Sequence, residues 1–422
     1  MLQVLKVLQV LGVLAVLGAP GAPKAPGAPR APGSLQPSVR VETLTATGGL
    51  PAHIAGAFQE PTAFQQAKSG RYYVFDRRAH AVYGIDPGAG APRKLIQIGF
   101  EEGRLLQPSA FDLEPESSFV VADAPNSRER VQLFDANGIR ITGFTLPGRN
   151  AIRVTLGSLV VNGVGSLQYT GRSLLINQPE TGSLITEYGM SGTPLRTFGQ
   201  LRRTGHEADH DLHLALNTGL PIVNPRGGFY FVFSTGVPMY RAYDRDGRLL
   251  FERHVEGPEV DEIVANLPAR WPRRESPEGD LPFVTPNVRA AAADAHGNLW
   301  VSLMPPFTYV YDRYGDKKRT VQFRGATGIL APVSLSFSPA GRLLVAPGLY
   351  EFNGARSAEK AATPGTPEPL EPRTSNLEPR TPRTPRTPRT TSASPPPPNP
   401  DSTPPDRYRT AWRDPGSSPP GA

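Results

Sequence analysis

The sequence predicts an all-β fold: a six-bladed β-propeller closed by an N-terminal strand and carried between disordered, proline-rich ends. Three observations predict it. A module of short apolar strands recurs six times, the modules contain Asp/Asn–Gly turns, and proline is frequent at both ends of the chain. Proline (48) and glycine (43) are both frequent among the 422 residues, which is typical of many turns combined with low-complexity segments.

The N-terminal segment has the pattern of an export signal. From Val7 to Gly18 the only polar residue is Gln9, and small residues follow at 18–22. We expect a signal peptide at 1–22 and a secreted or periplasmic protein, with an uncleaved membrane anchor or a mis-assigned start as the alternatives. If the signal is cleaved, no stable membrane span is expected. Residues 23–37 alternate proline with small residues and predict an extended linker.

The basic charge of the chain lies at its ends. The chain has 45 basic and 38 acidic residues. The two ends, 1–40 and 354–422, together contain 14 of the basic and 7 of the acidic residues, so 41–353 contains 31 of each. A nucleic-acid-binding domain would concentrate basic residues on its folded body, so no nucleic-acid partner is expected. The chain has no cysteine, which excludes disulfides, thiolate metal sites and a cysteine nucleophile.

The repeated module consists of an apolar strand, a polar turn and an aromatic-rich strand that ends in an Asp/Asn–Gly turn. A single such sheet would expose two apolar faces, and radial stacking of several sheets buries them. The strand pairs that define the six copies are Arg71–Asp76 with Ala81–Gly88, Ser118–Asp123 with Arg130–Gly138, Arg172–Asn177 with Leu184–Gly189, Gly228–Phe233 with Met239–Gly247, Asp294–Val301 with Thr308–Gly315, and Leu335–Val345 with Leu349–Phe352.

The second copy, Ser118-Phe-Val-Val-Ala-Asp123 followed by Arg130-Val-Gln-Leu-Phe-Asp-Ala-Asn-Gly138, resembles a blade of the NHL-repeat family. That resemblance implies a six-bladed propeller. Successive turns at Asp86, Asp135, Gly189, Asp244 and Asp312 are 49, 54, 55 and 68 residues apart, whereas such blades are nearer 40. The blades therefore carry insertions, and the longest, 255–287 around Trp271, predicts a decorated loop on one face.

Closure of the ring is predicted to involve the N-terminus, because the sixth copy ends without an outer strand. The strand Ser38–Leu44 is predicted to supply that missing edge, which would remove an aggregation-prone free strand. The predicted domain is 38–353. Residues 354–422 form a Pro/Thr/Arg-rich tail with a three-residue repeat from Arg380 to Arg389; it is either a partner-binding segment or low-complexity sequence without a role.

The motif His206-Glu-Ala-Asp-His210 matches the H-E-x-x-H pattern of zinc proteases, in which both histidines share one helical turn. Charged Asp209 and Asp211 and the preceding Gly205 do not suit such a helix, and His213 lies too far along it to share an ion with His206. A proteolytic zinc site, weak metal binding and a solvated polar loop are the three interpretations.

Enzymatic six-bladed propellers, lactonase-like and amidating-lyase-like, place Asp, Asn or His around the central channel with calcium or zinc. Similarity to them would imply inner-strand groups such as Asn162, Asn177, Asn287 or Asp294. The aspartates of the repeated module, by contrast, are predicted to make turn and strand-end hydrogen bonds: Asp76, Asp123, Asp135, Asp244 and Asp312. Aromatic residues on the strands are predicted to pack between blades.

These patterns predict a non-enzymatic scaffold that binds a protein, peptide or carbohydrate through its loop face, since propellers hold their loops on a rigid ring. The alternative is a metal-assisted hydrolase or lyase acting at the channel. No catalytic residue, metal ligand or cofactor is assigned, and a monomer is expected.

Overall fold

The computed structural model describes residues 41–354, apart from 89–90, 115, 126–127, 147–153, 157–158, 162–164 and 277–278. The predicted signal peptide, the linker at 23–37 and all of the predicted tail except Gly354 lie outside the described residues. The described chain is all-β, as predicted, and also contains three short helices that the sequence analysis did not predict.

The first part of the chain builds two closing strands and blades one and two. Each of these two blades is a four-stranded sheet whose strands pair in chain order. Their bounds are β1 Val41–Thr45, β2 Gly48–Gly49, β3 Pro61–Gln66, β4 Tyr72–Asp76, β5 Ala81–Ile85, β6 Arg93–Lys94, β7 Ala110–Leu113, β8 Phe119–Asp123, β9 Arg130–Phe134 and β10 Arg140–Thr145.

The middle of the chain builds a short hairpin (β11, β12) and blades three and four, with a single 3-10 turn at Pro179–Thr181. The bounds are β11 Val154–Leu156, β12 Leu159–Val161, β13 Leu167–Tyr169, β14 Ser173–Asn177, β15 Ser183–Gly189, β16 Pro194–Gln200, β17 Gly219–Val223, β18 Phe229–Phe233, β19 Met239–Tyr243 and β20 Leu249–His254.

The last part of the chain builds a second hairpin (β21, β22) and blades five and six. The bounds are β21 Arg273–Ser276, β22 Gly279–Val284, β23 Val288–Ala293, β24 Leu299–Leu303, β25 Thr308–Tyr311, β26 Lys317–Gly325, β27 Gly328–Leu330, β28 Ser334–Phe337, β29 Leu343–Ala346 and β30 Tyr350–Phe352. The helices are α1 Ala52–Ala55, α2 His210–Leu216 and α3 Pro258–Ala265.

The first strand of every blade lies at the centre of the ring. These inner strands contact one another in the order β3, β7, β13, β17, β23, β28 and back to β3, so the ring has six blades. A hydrophobic cluster occupies each of the six interfaces between neighbouring blades. The strand aromatics lie in them, and Tyr73, Phe231 and Tyr309 are each 0% exposed, which confirms their predicted packing role.

The N-terminal segment closes the ring, but through different residues than the sequence predicted. Strand β1 runs parallel to β26 as a fifth strand of blade five, and Gly48–Gly49 pairs with β30 as the fourth strand of blade six. The prediction that Ser38–Leu44 supplies the edge of blade six is therefore wrong. The nine-residue β26 offers a longer edge than the three-residue β30, so the longer N-terminal strand pairs there.

Candidate functional site

The segments that join successive blades lie on one face of the ring, because four antiparallel strands return the chain to the end where the blade began. We call this the connection face. It carries all three helices and a small sheet of strand order β12-β11-β22-β21. Within that sheet β11 pairs in parallel with β22, which joins the insertion before blade three to the insertion before blade five. Helix α2 contacts β22.

A cavity of about 540 Å³ opens on the connection face between α3, the segment 266–272, β22 and blade five. We call it the connection-face groove. Its apolar lining consists of Ile263, Leu267, Pro268, Trp271, Pro272, Phe283, Met304 and Pro305. Its polar lining consists of Glu259, Glu262, Asn266, Thr285 and Asn287. A mostly apolar cavity of this size with a few polar groups is typical of a ligand site.

Helix α3 forms one wall of the groove and is anchored to blade five. The hydroxyl of Tyr309 donates a hydrogen bond to the carboxylate of Glu259. Burial raises the pKa of Tyr309, and the bond to Glu259 raises it further, so the hydroxyl stays protonated as the donor. The ammonium of Lys317 lies 3.3 Å from the centre of the Tyr309 ring and donates to the Glu256 carbonyl at 3.2 Å. These contacts hold the start of α3 in place.

Trp271 forms the opposite wall and is held by apolar packing. Its ring packs against a cluster formed by α2 and β22, whose members are Leu212, Ala215, Leu216 and Val284. The adjacent Arg273 pairs with Asp209 at 2.6 Å and with Asp280 at 2.9 Å, which ties the Trp271 segment to the start of α2 and to its own hairpin. Both walls of the groove are therefore held by contacts to the rest of the propeller, although most of its lining residues belong to the long insertion 255–287.

Arg202 fixes the end of α2 to blade four. Its guanidinium donates to the carbonyls of Leu216 (3.0 and 2.6 Å), Thr235 (2.5 Å) and Val237 (3.0 Å), and it lies 4.4 Å from the centre of the Phe233 ring. Burial lowers the pKa of Arg202 to about 10, so it is still charged at neutral pH. A buried cation bonded to carbonyls at a helix C-terminus is a favourable arrangement.

The H-E-x-x-H motif does not form the helical turn that a zinc protease requires. Helix α2 begins at His210, with Asp209 as its N-cap accepting from the Leu212 amide at 3.2 Å, so His206 lies in the preceding turn. The Glu207 carboxylate accepts from the Thr204 amide at 2.8 Å. In the residues that the structure describes, no three His, Asp or Glu side chains come together as a metal site.

A polar chain that the sequence analysis missed lies along the inner strands of blades one to four. Asp112 accepts from the Gln65 amide group at 3.0 Å, the Gln168 amide group at 2.5 Å and the Tyr169 backbone N–H at 2.7 Å. Gln65 accepts from the Leu113 N–H at 2.8 Å, and Gln168 from the Val223 N–H at 3.4 Å. Each side chain thus satisfies a backbone donor at the inner edge of the next blade.

Asp112 is 6% exposed, and this burial raises its pKa to about 6, above its ordinary value of 3.8. The hydrogen bonds that it accepts act in the opposite direction but do not outweigh the burial. Both carboxylate oxygens are already occupied by donors, which is the arrangement of a structural link between blades.

None of the described candidates that the sequence placed on inner strands lies within one. Asn177 ends β14, donating to the Leu184 carbonyl at 2.7 Å and accepting from the Gly219 N–H at 3.0 Å. Asp294 lies in the turn after β23, where it accepts from two amides at 2.9 Å. Asn287 immediately precedes β23, and its buried side chain lines the connection-face groove. Asn162 lies outside the described residues.

The repeated aspartates make turn and strand-end hydrogen bonds, as predicted. Asp135, Asp244 and Asp312 each accept from two amides of their own hairpin turn at 2.8–2.9 Å. Asp76 and Asp123 end the second strands of their blades and accept from amides of the preceding connection at 2.7–3.0 Å. Their distribution follows from the backbone geometry of each blade.

The strand pairing makes this chain a six-bladed β-propeller. No protein-family model and no curated protein matches its sequence. Of the helices that the structure describes, none is long and apolar enough to span a membrane.

Several solved structures are similar to this chain. An inactive variant of virginiamycin B lyase from Staphylococcus aureus, solved with quinupristin, is 9% identical over 70% of this chain and 79% of its own, with a TM-score of 0.43. Kuenenia stuttgartiensis hydrazine synthase is 12% identical over 68% of this chain and 93% of its own, with a TM-score of 0.40. The C-terminal WD40 domain of Sif2 is 12% identical over 69% of this chain and 68% of its own, with a TM-score of 0.37.

Proposed function

We propose that this chain is an exported propeller of the NHL-repeat type that acts as a non-enzymatic scaffold and binds a peptide segment of a partner protein. The connection-face groove carries this proposal. It is concave, it is lined mostly by apolar side chains, and its few polar groups lie at defined positions.

Among the three ligand classes that the sequence leaves open, the lining of the groove favours a peptide. Eight of its thirteen lining residues are apolar, three of these being proline. A carbohydrate presents many hydroxyl groups and needs more hydrogen-bonding partners than such a wall offers. A peptide combines apolar side chains with a limited number of backbone groups, for which the exposed side chains of Asn266 and Thr285 are suitable partners.

The rigidity of the groove supports a scaffold. Tyr309 holds α3 through Glu259, and the α2 cluster holds Trp271, so little conformational entropy is lost when a ligand enters. Trp271 is the residue we expect to dominate binding, because large aromatic side chains are the commonest binding hot spots.

Substitution at Trp271 tests the proposal. A set of synthetic decapeptides rich in proline and apolar residues is titrated against the full chain by fluorescence anisotropy. We expect Trp271→Ala to weaken the best binder by about 30-fold, equivalent to roughly 2 kcal/mol. Leu250→Ala, at an exposed position on the outer strand of blade four, is the matched control and should bind like the wild type.

Because Trp271 also packs against α2, a second variant separates binding from folding. Thr285 is exposed and lines the groove, so Thr285→Trp fills the cavity without removing a packing contact. It should also abolish binding. Absence of any binder to the wild type at millimolar peptide, or unchanged binding in both variants, would refute a peptide groove at this position.

The alternative function, a metal-assisted hydrolase or lyase, would need carboxylate, Asn or His groups at the channel that are free to bind a metal or substrate, and the six inner strands as described contain no Asn or His. Asp112 is the one carboxylate on the six inner strands as described, and both of its oxygens accept hydrogen bonds. A stoichiometric metal ion in purified protein that is lost in Asp112→Asn would overturn our preference for the scaffold.

A further inference from the structure

The insertion that builds the groove is acidic, whereas the propeller body is neutral. Residues 255–287 contain seven acidic and three basic residues, while 41–353 as a whole contains 31 of each. Two of the residues that line the groove are acidic and none is basic. The cations held near the groove already have partners: Arg273 pairs with two aspartates, Lys317 donates to the Glu256 carbonyl, and Arg289 donates to the Met304 carbonyl. The groove therefore favours a ligand of positive charge.

The two carboxylates of the groove have different roles. Glu259 accepts the Tyr309 hydroxyl and is committed to anchoring α3. Glu262 lies one helical turn later, is exposed, and has no hydrogen-bond or ion-pair partner for its carboxylate among the described residues. Residues three apart share a helix face, so Glu262 lines the same wall as Glu259 with its acceptor oxygens open.

The apolar part of the groove suits a proline-rich chain. Trp271 and Phe283 give the groove aromatic faces, and aromatic-lined grooves bind peptides in the extended polyproline II conformation, which loses little entropy on binding. An arginine side chain satisfies both parts of the groove, because a guanidinium stacks on an aromatic face and pairs with a carboxylate.

We infer that the connection-face groove selects a proline-rich peptide of a partner protein that carries an arginine, with Glu262 as its acceptor and Trp271 as its stacking surface. This inference rests on the proposed peptide-binding function and adds the chemistry of the ligand. It makes Glu262 a specificity-determining residue, distinct from the structural Glu259.

The test compares two proline-rich decapeptides that differ only at one central residue, arginine in one and citrulline, its neutral isostere, in the other. Binding to the full chain is measured by fluorescence anisotropy at about 50 mM salt. We expect the arginine peptide to bind at least tenfold more tightly, and Glu262→Gln to remove that preference. Glu275→Gln is the matched control. Glu275 lies on β21 in the same insertion but outside the groove lining, so the preference should persist.

The outcomes separate the inference from the function on which it rests. Equal binding of both peptides, weakened in both by Trp271→Ala, would preserve the peptide groove and overturn the arginine preference. Binding of both peptides that is unaffected by Trp271→Ala and Thr285→Trp would overturn the groove itself. An equal loss of preference in Glu262→Gln and Glu275→Gln would show a general charge effect and would also overturn a specific role for Glu262.

Discussion

Protonation of Asp112 should make the propeller more stable as the pH falls from 8 to 5. Its pKa is about 6 in the folded chain and 3.8 ordinarily, so the folded state binds the proton more tightly. This stabilisation is absent above pH 7, grows as the pH falls through 6, and is complete below 3.8. At pH 5, one unit below the folded pKa, it amounts to about 1.4 kcal/mol.

Asp112→Asn isolates this contribution from those of Glu129 and His80, two other described groups whose pKa values are shifted by burial. Burial raises the pKa of Glu129 to about 7, which has the same sign, and lowers the pKa of His80, which has the opposite sign. The quantity to measure is therefore the difference between variant and wild type. Urea unfolding followed by tryptophan fluorescence at pH 5, 6, 7 and 8 gives the free energy of unfolding at each pH.

We expect the gain in unfolding free energy from pH 8 to pH 5 to be about 1.4 kcal/mol smaller in Asp112→Asn than in the wild type. Asp246→Asn, which removes an exposed carboxylate from a hairpin turn, is the control and should follow the wild type. Identical pH profiles for Asp112→Asn and the wild type, or a larger gain in the variant, would refute the assignment of Asp112 as a buried carboxylate with a raised pKa.

Two further predictions concern stability. Arg202→Met should lower the free energy of unfolding by about 3 kcal/mol, because it removes the charged donor from the carbonyls of Leu216, Thr235 and Val237. Exposed Arg203→Met should change it by less than about 0.5 kcal/mol in the same urea titration. Gly49→Ala should lower the thermal midpoint, because φ is +133° and the new Cβ would lie 2.4 Å from the Leu349 carbonyl oxygen in the closing strand. Gly328→Ala is the control, because its φ of +118° is similar but the new Cβ would meet open space; a loss as large as that of Gly49→Ala would contradict the steric argument.

The blades and their turns were predictable because their signals are local. Asp135, Asp244 and Asp312 each accept from amides two and four residues later, so all the residues involved belong to one hairpin turn. Alternating apolar residues likewise identify strands over four to six positions. The count of six blades follows from the number of such modules.

The contacts between modules were not predictable in the same way. Asp112 bonds to Gln65 and Gln168, which are 47 and 56 residues away, and nothing in the local sequence pairs them. The only signal was a carboxylate within the apolar run Ala110–Leu113. Closure by Gly48–Gly49 was also missed, because a two-residue strand has no pattern of its own.

From its sequence alone, this protein is an all-β ring of six modules with a neutral body and a long insertion before the fifth blade. Those properties follow from local pattern and composition, which need no knowledge of distant contacts. Only the tertiary structure showed the groove at which we propose that a ligand binds. It brought α3, the Trp271 segment and the edge of blade five around one cavity, paired Glu259 with Tyr309, and left Glu262 open. Such a groove depends on packing between separate segments, so it becomes visible only when the ring is closed.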